Sequence, residues 1–113
     1  MSVKRDRANT AERRKRLHEL VDLREELKEL QANLEQYEIL FDDSVRKRSA
    51  LENRYHGTDN EDQFLESLRI VEEKIHHHRQ KISELQSEII DKKECILSIE
   101  TLVRMDEEAQ SHP

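Results

Sequence analysis

Glycine, proline, cysteine and aromatic residues are nearly missing from this sequence: 113 residues include one Gly, one Pro, one Cys, two Tyr, two Phe and no Trp. With 41% charged side chains and 4% aromatics, there is too little bulky apolar material for the thick core of a globular domain. Disorder normally brings Pro, Gly and Ser and few aliphatics. Here Leu, Ile and Val recur steadily among Glu, Lys, Arg and Gln, a mixture that favours helix. A lone Cys95 excludes an intrachain disulfide and fits a reducing compartment; beside an apolar seam it reads as an inert, buried thiol. No apolar run approaches the ~18 residues of a membrane span, and the N-terminus lacks the apolar stretch of a signal peptide. A cytoplasmic protein is the default expectation, with the nucleus open. Phosphate loops, nucleophile elbows and zinc spacings are also missing, so neither catalysis nor a cofactor is expected.

What is present is a strict alternation of three- and four-residue steps, the period of a coiled-coil seam. One series runs Leu20, Leu23, Leu27, Leu30, Leu34, Tyr37, Phe41, Ser44, Arg48, Leu51, Tyr55, with polar lapses at Ser44 and Arg48. A second runs Phe64, Leu68, Val71, Ile75, His78, Ile82, Leu85, Ile89, Lys92, Ile96, Ile99, Val103, with lapses at His78 and Lys92. Stop and start signals coincide only between them. Gly57 offers the left-handed conformation that ends helices, and Thr58 with Glu61 has the spacing of a capping box. Asn9 or Thr10 is the expected cap of the first helix. The organisation read from these signals is a basic, flexible segment 1–9, a helix over 10–56, a turn at 57–60, a helix over 61–108 and a disordered tail 109–113. Each helix would be roughly 70 Å long at 1.5 Å per residue.

A loop this short makes the helices antiparallel neighbours. Pairing residues whose numbers add to 119 sets every core position against a core position, Tyr55 on Phe64 and Leu20 on Ile99 among them, and no rung has two polar members. The fold class is therefore all-α, two long helices in an antiparallel coiled-coil hairpin. With Arg16 opposite Val103 as the twelfth rung, five of the twelve carry one polar group, so the core is thin and dimerisation into a four-helix bundle is one way to enlarge it. The same seams also allow pairing between chains, as two long helices interrupted at Gly57. In the 119 register Glu38 falls near Arg79, but Arg24 falls near Lys93 and Lys47 near Lys74.

Leu17, Val21, Ile90 and Leu97 lie off the seam, on one side of the hairpin near its open end. Grouped exposed aliphatics of this kind form a partner-binding patch, against the plainer reading of scattered surface residues. His78 opposes Phe41 in the seam, where burial disfavours the charged ring; it is the candidate pH-sensitive core residue. His76, His77 and His78 point about 100° apart in a helix and do not converge on one metal ion.

The net charge of −6 divides into +5 over residues 1–16 and −11 over the rest. Within the basic part, Lys4, Arg5, Arg13, Arg14, Lys15 and Arg16 form a possible nucleic-acid or localisation segment. The run Lys4-Arg5-Asp-Arg-Ala8-Asn9-Thr-Ala-Glu12-Arg13-Arg-Lys15-Arg16 resembles the basic region of basic helix-loop-helix factors. That resemblance implies that Glu12 reads bases while Arg13 and Arg16 hold phosphates. It covers only about thirteen residues, and the unbroken heptads from Leu20 to Tyr55 depart from that family's short helix, loop and helix. Pairing of Arg13 with Asp106, Glu107 and Glu108 at the open end is the competing reading.

The function these features favour is a non-catalytic coiled-coil adaptor or scaffold. It would bind other proteins through helical faces, as a homo- or hetero-oligomer within a larger assembly. By architecture alone, cytoskeletal, trafficking, kinetochore and GTPase-effector hairpins are the analogues. The alternative is a nucleic-acid-binding protein that uses the basic segment and dimerises through the coiled coil.

Overall fold

The structure is a computed structural model that describes residues 3–55, 57 and 60–111, with side chains over 10–55, 57 and 60–109. Two helices account for it, α1 (Val3–Arg54) and α2 (Glu61–Ser111), packed antiparallel as a hairpin within one chain, and the described residues contain no strand. Each helix partners its neighbour through its apolar seam, and the alternating spacing dictates where. Every position of the two series is buried or half-buried, whereas Leu17, Ile39 and Leu97, equally apolar but off the seam, are exposed. Among the described residues no side chain is completely buried, as expected when a core is only two helices thick.

α1 begins at Val3, ahead of the cap expected at Asn9 or Thr10. Residues 3–10 contain neither Pro nor Gly, and the good helix formers around Asn9 and Thr10 carry the helix through them. At the other end the Tyr55 N–H donates to the Leu51 carbonyl at 3.1 Å and closes the last turn. Thr58 of the expected capping box lies outside the described residues. The cap of α2 is Asn60: its side-chain oxygen accepts from the Gln63 N–H at 3.2 Å, and its carbonyl accepts from Phe64 N–H at 3.1 Å. Glu61 and Asp62 place negative charge in the first turn, where the helix dipole favours it.

Gly57 corrects another expectation, since no described residue has a positive φ. A Cβ added at Gly57 would meet nothing within 4 Å. Gly57→Ala is therefore expected to change stability by less than about 0.5 kcal/mol, while Asn60→Ala loses the cap and costs about 1 kcal/mol. Urea melts of the two variants compare them directly, and a larger loss at Gly57 would contradict this account of the turn.

The chain divides into two units. The turn-end unit spans residues 31–87, and the open-end unit joins residues 1–30 to 88–113. In the open-end unit Leu20, Ile96 and Val103 form the buried cluster, with Leu23, Leu27 and Ile99 packed on it. The expected rungs Leu20–Ile99 and Leu23–Ile96 both fall inside this cluster. In the turn-end unit Val71, Ile75 and the hydroxyl-bearing Ser44 are buried. Tyr55 stacks on Phe64 beside the turn, with ring centroids 4.0 Å apart and planes 14° from parallel. That pair belongs to the 119 register and closes the seam where the chain reverses.

Candidate docking faces

The polar members of the seam are handled by reach. Lys92 is half-buried opposite Leu27, and its ammonium extends sideways to donate to Glu26 Oε2 at 2.6 Å. That hydrogen bond is the main reason its pKa is raised, with the carboxylate's charge adding to it, so Lys92 stays cationic while its stem covers the seam. At the open end Arg13 donates to Glu107 at 2.9 Å, and Arg16 pairs with Asp106 across the helices and with Glu12 at 3.7 Å along its own. The three side chains that the basic-region resemblance singles out are thus joined to carboxylates or to each other. Arg14 and Lys15 are exposed on the same helix; the side chains of Lys4 and Arg5 lie outside the described residues.

His78 is half-buried in the turn-end unit. Tyr37 and Ser44 of α1 lie to either side of Phe41, its partner in the 119 register. The Tyr37 ring centroid is 6.1 Å from the imidazole, and Ser44 Oγ is 3.5 Å from its Nδ1. Burial is the largest cause of its lowered pKa; the neighbouring His77 and Lys74 push the same way. Arg79, which the register places near Glu38, lies with its guanidinium carbon 5.6 Å from the centroid of the Phe41 ring. Among the described residues no three His, Cys, Asp or Glu side chains gather as a metal-binding set.

Apolar side chains left outside the seam group by flank. In the open-end unit Leu17, Val21, Ile90 and Leu97 are 42%, 57%, 56% and 60% exposed, a considerable fraction for aliphatics. Heptad positions put all four on the flank where Arg24 meets Glu100 at 3.5 Å. That flank is basic. Arg14, Arg24, Lys28, Lys93 and Arg104 outnumber Glu100 and Glu107 on it. Arg24 was placed near Lys93 by the register, but its long side chain reaches Glu100 instead, which relieves part of the like-charge crowding. The opposite flank of this unit carries Glu19, Glu26, Glu88 and Asp91 beside Leu102 and Met105. Cys95 lies there too and is exposed, against the expectation of a buried thiol; it flanks the seam, whose buried position is taken by its neighbour Ile96.

The turn-end unit carries its own pair of flanks. On one, Glu35, Glu38, Asp42, Glu52, Asp62 and Glu72 surround exposed Leu65 and half-buried Val45. None of these six carboxylates makes an ion pair with a described residue. The two cations there are otherwise engaged: Arg79 covers Phe41, and Arg69 holds Glu66 and Glu73 at 2.6 Å each. The other flank holds an open groove of about 480 Å³ lined by Lys47, Leu51, Arg54, Ile70 and Val71, with small Ala50 and Ser67 leaving its floor uncovered. Sequence reading found the aliphatic patch but missed the segregation of charge between flanks, which becomes visible only when the two helices are folded together in register.

No helix among the described residues is long and apolar enough to cross a membrane. No protein-family model, curated protein or solved structure matches the chain.

Proposed function

We propose that this protein is a non-catalytic coiled-coil adaptor whose helical hairpin binds other helices through its outer faces, as a subunit of a larger cytoplasmic assembly. The observation that carries this reading is the group Leu17, Val21, Ile90 and Leu97. Their aliphatic surface stays in water although two half-buried seams have already used the core available to a lone hairpin. Burying it against a further helix recovers roughly 25 cal/mol for each Å² removed from water, and helix-on-helix docking is the mode that a helical flank supports.

Use of residues 4–16 on nucleic acid is the weaker alternative, because Arg13 and Arg16 would have to leave Glu107 and Asp106 before meeting phosphate. The test is the double substitution Val21→Glu and Leu97→Glu. Light scattering and cross-linking in cell extract should both show lost association, with helix content unchanged because both positions lie outside the seam. If association with itself and with every cross-linked protein is the same as in the wild type, the docking reading is wrong.

A further inference from the structure

We infer that the first partner of this hairpin is a second copy of itself, with the basic aliphatic flank of the open-end unit of one molecule seated on the acidic flank of the turn-end unit of another. This rests on the docking reading above and names the occupant. Two independent features of the surface lead to it. Leu17, Val21, Ile90 and Leu97 supply the apolar area on one side, and Leu65 with Val45 supplies it on the other. Around the first set Arg14, Lys93 and Arg104 have no ion pair among the described residues, and around the second Glu35, Glu38, Asp42, Glu52, Asp62 and Glu72 have none.

A chain of net charge −6 has no reason of solubility to place five exposed cations around the four exposed aliphatics of this flank. Within one molecule this arrangement is unfavourable, since it sets Arg24 and Lys93 on one flank. Between molecules it is complementary. Charges flanking helical seams select partner and orientation in just this way, through attraction in the correct alignment and repulsion in the others. Basic flank on basic flank, or acidic on acidic, sets like charges together. The crossed arrangement places aliphatic on aliphatic and cation on carboxylate, and it uses the flank whose six carboxylates all lack an ion pair with a described residue, whereas Glu26 on the acidic flank of the open-end unit is already held by Lys92. The groove beside Lys47 and Arg54 is left for a different ligand and takes no part.

Complementary charge reversal tests the pairing. One variant carries Arg14→Glu, Lys93→Glu and Arg104→Glu, so that both flanks in question are acidic. The other carries Glu38→Lys, Asp42→Lys and Glu72→Lys, so that both are basic. All six positions are exposed and off the seam, so each variant should keep the helix content of the wild type, which circular dichroism checks. By light scattering at low salt the wild type should exceed the mass of one 13.6 kDa chain, and raising the salt should lower its association at least tenfold. Each variant alone should be a monomer, and an equal mixture should recover wild-type association.

A wild type that is monomeric at low salt, variants that associate like the wild type, or a mixture that stays monomeric would each overturn the pairing. In those cases the docking reading itself survives if Val21→Glu with Leu97→Glu still removes a cross-linked partner, and falls with it if that variant changes nothing.

Discussion

Ile75→Ala should destabilise the protein by about 2–4 kcal/mol, the range for large aliphatics truncated in a core, while Ile39→Ala should cost no more than about 0.5 kcal/mol. The two substitutions remove the same atoms from the same unit. They differ only in where the heptad puts them: Ile75 is 3% exposed in the seam of α2, and Ile39 is 55% exposed on the outer surface of α1. The loss at Ile75 is aggravated by its partner in the rung. Ser44 faces it and is itself buried at 5% exposure, so truncation leaves two small side chains opposite each other. For a domain of this size each kcal/mol moves the midpoint of melting by roughly 4–8 °C, so the pair separates clearly in thermal melts followed by circular dichroism. Equal losses at the two positions would mean that the seam of this hairpin is not what holds it together.

That contrast was readable in the sequence, because the three-four step puts Ile75 in register and Ile39 out of it before any coordinates are drawn. The antiparallel pairing was readable for a second reason: a single short break between two seams leaves one way to bring them together, and Tyr55 on Phe64 is its first rung. What the sequence did not disclose depends on how far side chains reach. Backbone register set Arg24 by Lys93, yet its guanidinium spans another turn to Glu100, and Arg79 prefers the face of Phe41 to the carboxylate of Glu38. The start of α1 at Val3 and the cap at Asn60 were missed because several polar residues near each end are competent caps. Choosing among them depends on backbone geometry that spacing alone does not encode. Cys95 was misplaced because a position flanking the seam is buried or open according to the size of its neighbours.

His78→Leu should leave stability nearly unchanged at pH 8 and raise it at pH 5. At the higher pH two effects offset each other. Leucine buries more apolar surface in the seam, worth about 1–2 kcal/mol at a half-covered site, but it deprives the buried Ser44 hydroxyl of the imidazole nitrogen 3.5 Å away, at a cost of about 1–3 kcal/mol. Lowering the pH changes only the histidine side of the comparison. Burial, with His77 and Lys74 nearby, holds the folded-state pKa of His78 beneath its ordinary value, so the unfolded chain takes up the proton first. Above about pH 6.5 the ring is neutral in both states and titration contributes nothing. As the pH falls through that value the unfolded state gains, and the penalty grows until the folded-state pKa is also passed, below which it is constant. The wild type should therefore lose stability relative to the leucine variant between pH 7 and pH 5, while carboxylates that titrate in the same range affect both proteins alike. A melting-temperature gap between the two that is the same at pH 8 and pH 5 would show that protonation of His78 does not couple to the packing of the hairpin.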